Sequence, residues 1–440
     1  MTSEVPAGAG WTHPSRRPYR FTVLVFAASI LFGSYFAYDS LGAIEVSLMK
    51  AWNIGADKIG ATYTMYSVAA IFTVFLGGIL TDRLGTRKAS LLFSALVTLG
   101  AVVVAFAPNL WVLYAGRLLF GVGSESLVVA QNAILARWFK GKELALAFGI
   151  ALSISRLGTM FTFNTEALIA ERGGISAALW AAAGLCALSL VGNLIYNAMD
   201  RRAEQTLSLS EAGSGDKIVL KDVAHFRSDF WFVTLLCVTF YSAIFPFTAL
   251  STDFFHDKWG LPLTATQSGG FLSAVFSNFL HMFSTAPGTT SIIIFASMVF
   301  APFAGGLLDR IGRRATLMII GSLLMIPAHL AMGLTNIPPA IPMIVLGAAF
   351  VLVPAAMWPS IAMIVEKKRI GTAYGFCTMI QNIGLMAFPY LSGWLKESTG
   401  TYTASQLMFS SLGAVGLVFA LLLWRADRRH GGTLERGSRG

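Results

Sequence analysis

The chain has 440 residues, of which 55% are hydrophobic and only 12% charged, with a formal net charge of +10 and a mean hydropathy of +0.67. A soluble domain carries about 25% charged residues, so this composition excludes an ordinary soluble protein and demands many long segments without charge. Stretches such as "LLFSALVTLGAVVVAFAPNLWVLY" and "LMFSSLGAVGLVFALLLW" approach the roughly 20 apolar residues that cross a bilayer core as a helix.

In chain order, residues 1–20 are polar and lack an apolar core, so they are expected to form an amino-terminal tail without a cleavable signal peptide. Six apolar helices are predicted at 21–48, 60–81, 89–108, 111–136, 145–171 and 175–198, giving a first half over 21–198. The stretch 199–226 is too polar to span and reads as a linker. Six more helices at 229–255, 290–308, 315–334, 338–364, 372–395 and 404–425 make a second half over 227–425, followed by a tail at 426–440. The connection 259–289 is long and holds the apolar piece "GGFLSAVFSNFLHMF", too short for an easy span and expected as an interfacial or re-entrant helix. The predicted fold class is an all-α polytopic membrane protein with twelve transmembrane helices in two pseudo-symmetric six-helix halves.

Charge placement supports this topology. With the amino terminus cytoplasmic, the inward segments carry dense clusters such as Arg16, Arg17 and Arg20, then Arg83, Arg87 and Lys88, and later Lys367, Lys368 and Arg369. The outward loops hold Lys50, Lys58, Arg172, Lys258 and Lys396 alone. This is the positive-inside pattern, with both termini cytoplasmic. The basic balance therefore reflects topology, and no nucleic-acid partner is expected; the partner surface is the lipid bilayer. Cys186, Cys237 and Cys377 are scattered through apolar helices, and the six histidines show no metal-binding spacing. No P-loop glycine pattern occurs. No enzyme activity, cofactor or metal is expected.

An internal repeat links the halves. "GGILTDRLGTRK" recurs as "GGLLDRIGRR", each between the second and third helix of its half. Parallel repeats of this kind are a transporter architecture. The glycines, among them Gly78, permit close helix approach, and Asp82 and Asp309 are expected at helix ends, where they meet cations or a helix amino terminus. Arg83, Arg87 and Arg310 complete the two charged turns, which are expected to serve conformational change. A second echo sets "AFGIALSISRLG" beside "AYGFCTMIQNIG", bringing Arg156 opposite Asn382.

The fourth and fifth helices carry charges where charge is costly, about 2.5–3.5 kcal/mol at a bilayer centre. At 1.5 Å per residue, Glu125 lies about 18 Å and Arg156 about 20 Å above the inner face. Both sit near the midplane, where such transporters bind substrate. Three readings remain open from the residues alone. The two form a structural ion pair, or a gate, or they hold the two ends of a zwitterion, with the carboxylate taking an ammonium and the guanidinium a carboxylate. Candidate neighbours are Asn132 on the fourth helix, Tyr35 and Asp39 on the first, and Tyr63 and Tyr66 on the second. Tyr241, Phe245, Trp358, Gln381 and Asn382 are the candidates in the second half. Arg117 is expected to be structural or conformational. Glu45 and Glu166, near outer helix ends, are expected to snorkel to water.

The charged turns and "RLLFGVG" resemble the major facilitator superfamily throughout. Within it, "GSYFAYD", "GRLLFGVGSESLVVAQN", "WFKGKELALAFGIALSISRLGT", "IFPFTALSTDFF" and "MWPSIAMIVEKKRIGTAYGFCTMIQNIGL" resemble the lysosomal dipeptide transporters of animals, over most of residues 20–430. The resemblance implies a dipeptide uniporter working by alternating access, with Glu125 engaging the peptide amino group and Arg156 its carboxylate. Departures are the missing acidic dileucine sorting signal, the absence of any N-x-[ST] acceptor and the longer 259–289 connection. They point to a bacterial relative in the inner membrane, expected to be monomeric, with the need for an accessory subunit open. The rival readings are an organic-anion exchanger or proton-coupled carrier using Arg156, and a non-transporting receptor of transporter-like fold.

Overall fold

A computed structural model describes residues 13–14, 16–139, 143–206, 223, 226–265, 270–366 and 369–436. Its helices, in chain order, are α1 (Arg17–Ala43), α2 (Glu45–Trp52), α3 (Ala56–Ala105), α4 (Leu110–Phe139), α5 (Leu144–Thr206), α6 (Ser228–Ala249) and α7 (Ser251–Trp259). They continue as α8 (Phe271–Leu280), α9 (Ala286–Ile311), α10 (Arg314–Leu334), α11 (Ala340–Ile364), α12 (Ile370–Thr399) and α13 (Thr403–Arg429). Eight are long and apolar enough to cross a bilayer by length and composition. Lipid offers the backbone no hydrogen-bond partners, which leaves the helix as the way for such segments to satisfy every N–H and C=O.

Two of the long helices are each a pair of spans joined through one glycine. Gly85 (φ 75°, ψ 160°) divides α3 and Gly174 (φ 82°, ψ 168°) divides α5. A side chain is strained at such angles, so glycine makes each corner without a loop. With those two divisions, the ten long helices among the described residues supply the twelve spans, in two sets of six. Elsewhere the predicted ends shift. α1 stops at Ala43 and α6 at Ala249, and the short helices α2 and α7 follow each break. The segment 199–206, expected as linker, continues α5 to Thr206, while 207–222 lies outside the described residues. Beyond α13, Leu434 is fully buried, and the Glu435 carboxylate accepts from the Thr316 N–H at 2.9 Å, capping the start of α10.

The chain forms two compact units. The first comprises Met1–Tyr38, Phe72–Thr159 and Leu179–Gly215; the second comprises Asp39–Ile71, Met160–Ala178 and Asp216–Gly440. The end of α1, the start of α3 and the middle of α5 around Gly174 thus belong to the same unit as the second half.

Small residues set the packing in both units, as expected where no hydrophobic force draws helices together in lipid. In the first, a Cβ on Gly77 would meet Ser126 at 2.7 Å, and one on Gly158 would meet the Phe32 carbonyl oxygen at 2.5 Å. In the second, a Cβ on Gly384 would meet the Ser242 hydroxyl at 2.0 Å. Gly158 and Gly384 are equivalent positions of the second sequence echo, so the repeat reappears as the same close approach: α5 on α1, and α12 on α6.

Candidate functional site: a charged pair around the first helix

In the first unit, α1 is the common neighbour of Glu125 and Arg156. Ser34 Oγ and Ser124 Oγ share a hydrogen bond of 2.8 Å, which fixes α4 against α1 one residue before Glu125. On the other side of Glu125, the Ser126 hydroxyl donates to the Thr73 carbonyl at 3.0 Å, fixing α4 against α3. Successive helical residues are 100° apart, so Glu125 projects from the arc between those two contacts, and it is half-buried. The Arg156 guanidinium, also half-buried, lies 5.8 Å from the centroid of the Tyr35 ring, an arrangement in which the ring face attracts the cation. Consecutive residues of α1, Ser34 and Tyr35, therefore touch the neighbourhoods of both charges.

The remaining candidates of this unit divide. Asn132 is exposed, while its neighbour Gln131 is buried and donates from Nε2 to the Ala27 carbonyl at 2.8 Å. Arg117 is fully buried, donates to the Ala37 carbonyl at 3.3 Å and lies over the rings of Tyr38 and Phe120 at 5.2 and 5.5 Å. It ties α4 to α1.

The second unit holds Asp39, Tyr66, Tyr241, Trp358, Gln381 and Asn382. Asp39 and Tyr66 are buried. Tyr63, also buried, accepts the Gly42 N–H at its hydroxyl at 3.0 Å, holding the end of α1. An aromatic cluster joins three of the predicted residues: the Trp358 indole donates to the Tyr241 hydroxyl at 3.0 Å, and Tyr241 stacks on Phe245 at 5.6 Å. Tyr374, which sequence reasoning passed over, donates to the Trp358 carbonyl at 2.9 Å. Gln381 accepts from the Cys237 thiol at 3.4 Å. Asn382 is buried and donates to the Thr378 carbonyl at 3.0 Å, while its Oδ1 has no partner.

The first charged turn shows a network that the motif alone did not reveal. Asp82 and Arg83 are exposed and Gly78 half-buried. Arg87 pairs with Glu204 at 2.6 Å and Asp200 at 3.7 Å, and Arg137 pairs with the same two carboxylates at 3.3 and 3.5 Å. The Trp138 indole donates to Asp200 at 2.8 Å. Sequence reasoning assigned "MDRRAE" to the linker and so missed Asp200 and Glu204; the signal was the spacing of two acids at i and i+4 beyond an apolar helix. Removing Asp200 would leave Arg137, with 2% of its side chain exposed, short of its buried partner. Asp200→Ala is expected to destabilise the protein by about 3–5 kcal/mol, seen as a clear fall in the thermal unfolding midpoint. The side chains of Asp309 and Arg310, in the matching second turn, lie outside the described residues.

Two expectations are corrected. Glu45 and Glu166 do not snorkel to water; both are fully buried. Depth along a helix does not determine facing, and both residues face the second unit's own packing rather than its surface.

The comparisons with known proteins agree with this architecture. The profile of the Major Facilitator Superfamily matches residues 24–287 and 281–440. The chain is 32% identical to the human lysosomal dipeptide transporter MFSD1, across 97% of this chain and 90% of that one. Among solved structures, a bacterial homologue of the human lysosomal transporter Spinster aligns with a TM-score of 0.69 at 14% identity, covering 94% of this chain and 98% of that one. The nucleoside transporter NupG aligns with a TM-score of 0.68 at 15% identity, covering 92% and 98%. Repeated charged turns, two sets of six spans and a profile match over nearly the whole chain lead to one conclusion: the protein is an integral membrane transporter belonging to the Major Facilitator Superfamily.

Proposed function

We propose that this transporter carries dipeptides, as a uniporter working by alternating access, with the substrate held between Glu125 and Arg156. The observation that carries the reading is the pair of opposite charges disposed around Ser34 and Tyr35 of one helix. A dipeptide presents an ammonium and a carboxylate; Glu125 takes the first and Arg156 the second through its two-pronged guanidinium. The near full-length likeness to relatives named as dipeptide transporters supports the same substrate class.

In this reading the protein is a monomer in a bacterial inner membrane, with the charged turns and both termini cytoplasmic, as the positive-inside rule favours. The test is thermal stabilisation of purified protein by dipeptides, amino-acetylated dipeptides, free amino acids and dicarboxylates. A true ligand at 100 times its Kd adds about 2.7 kcal/mol. Stabilisation by free dipeptides, and not by the acetylated forms, is the expected result. A response confined to dicarboxylates would replace the reading with an organic-anion carrier.

A further inference from the structure

At the end of the second unit remote from the charged turns, elements of the two halves clasp each other through carboxylates. Glu45 of α2 accepts the Asp253 N–H of α7 at 2.6 Å, and α7 has no side-chain cap of its own. In the opposite direction, Glu397 of α12 accepts the Ala56 N–H at 2.8 Å, at the start of α3. Each half thus caps a helix amino terminus of the other, where a carboxylate meets unsatisfied N–H groups and the positive end of the helix dipole. Nearby, the Thr64 hydroxyl donates to the Met386 carbonyl at 2.6 Å, and a Cβ on Gly60 would meet the Pro389 carbonyl oxygen at 2.2 Å. Pro389 lies inside α12 at this contact and donates no N–H to the helix. These contacts close the two halves on each other within the second unit.

The clasp buries acids beside each other. Glu45 is fully buried, and its second oxygen, Oε2, has no hydrogen-bond partner. The Asp253 side chain accepts the hydroxyl of Tyr402 at 2.6 Å. From α7, Asp257 and His256 also face the cluster; Asp257 binds Lys396 of α12 at 2.6 Å, and His256 Nδ1 pairs with the Leu261 carbonyl oxygen at 2.8 Å. Lys396 lies over the Tyr402 ring at 5.0 Å. Lys258 of α7 is turned to the Gly333 carbonyl at 3.0 Å, and on α3 Lys58 pairs with Asp57 at 2.8 Å. These cations are thus engaged by other groups, and among the described residues none forms an ion pair with Glu45.

We propose that Glu45 and Asp253 form a proton-binding site that exists while this end is closed, so that closure takes up a proton and opening releases it. The geometry supplies the reason: the bare second oxygen of Glu45 accommodates a proton, and a charged Glu45 would face Asp253 without a cation between them. Burial, and then the neighbouring Asp253, push the Glu45 carboxyl well above its ordinary value, against the lowering effect of the Asp253 and Thr252 N–H groups. Burial raises Asp253 too, against the lowering effects of the Tyr402 hydroxyl and Lys396. Opening would rehydrate both and return them toward ordinary carboxylate values. The state with the higher pKa gains as pH falls, so closure strengthens in acid and weakens as pH rises through the closed-state pKa. The site opens only to its own side of the membrane. It makes turnover sensitive to the pH of that compartment, without driving substrate by a gradient. The inference rests on the closed end alone and not on the identity of the substrate.

The test is a spin-label distance across the clasp, from Lys58→Cys to Thr401→Cys, in protein reconstituted in lipid nanodiscs and titrated from pH 4.5 to 8.5. The native cysteines are buried. The closed-to-open ratio is expected to fall about tenfold for each pH unit by which closure raises the pKa of the pair. Glu45→Gln keeps an oxygen for the Asp253 N–H and removes the titration, so it should stay closed across the range. His256→Gln should retain the native pH dependence. If Glu45→Gln is poorly folded by gel filtration, Asp253→Asn serves as the second variant and should weaken the pH dependence, since burial still acts on Glu45 but the neighbouring carboxyl no longer does. A closed fraction independent of pH in the native protein, or an undiminished dependence in both variants, would overturn the proposal.

Discussion

Uptake of a labelled dipeptide into proteoliposomes is expected to fall at least tenfold in Glu125→Gln and in Arg156→Lys, with both proteins folded and monodisperse. A hydrogen bond to a charged group contributes about 1.5–3 kcal/mol, and each 1.4 kcal/mol is tenfold in affinity. Glutamine retains the size and an acceptor oxygen but loses the charge that an ammonium requires. Lysine retains the charge but loses the planar fork that grips a carboxylate at two points, along with the flat contact on Tyr35. Neither change is expected to unfold α4 or α5. Their contacts to α1 run through Ser124, Gln131 and Gly158, which remain in place. Uptake at native levels in both variants would remove the pair from the substrate site and return it to a structural role.

The second large effect is steric. Gly60→Leu should also lower uptake at least tenfold, because its side chain would occupy the space where α3 meets the backbone of α12. A Cβ alone would come within 2.2 Å of the Pro389 carbonyl oxygen, and overpacking of that kind costs about 1–3 kcal/mol. In the proposed alternating-access cycle this contact forms in one part only, so the substitution should favour the open arrangement rather than unfold the chain. A Thr64→Cys reporter would then react faster with a membrane-impermeant thiol reagent in the Gly60→Leu background. Gly149→Ala, where an added Cβ meets nothing within 4 Å, is the matched control and should transport normally. Equal uptake for Gly60→Leu and the control would show that this end need not close so tightly for turnover.

Much of the fold was legible because a membrane simplifies the physics. Apolar length gives the spans, and the recurrence of "GGILTDRLGTRK" as "GGLLDRIGRR" gives the two halves. Glu125 and Arg156 stood out as candidates for the same reason, since an ionisable residue in an apolar run is costly. Facing was not legible. Glu45 was read as reaching water from its position near a helix end, yet the break after Ala43 turns it onto the first turn of α7. Asp200 and Glu204 were assigned to a linker because hydropathy ends there, although the helix continues and its last turns bind Arg87 and Arg137. The turns at Gly85 and Gly174 were expected to be loops; a single residue with positive φ suffices. In each case the missing information is which element lies opposite, and that depends on tertiary packing rather than on local sequence.

The central claim is that opposite charges hold the two ends of a small peptide, and one flux comparison addresses it most directly. Protein in proteoliposomes, with no ion gradient imposed, is given a free dipeptide or the same dipeptide acetylated at its amino end. The account predicts saturable flux of the free peptide and at least tenfold slower flux of the acetylated one, because Glu125 then faces a neutral amide. Equal flux of the two, or flux of the free peptide only under an imposed gradient, would contradict it.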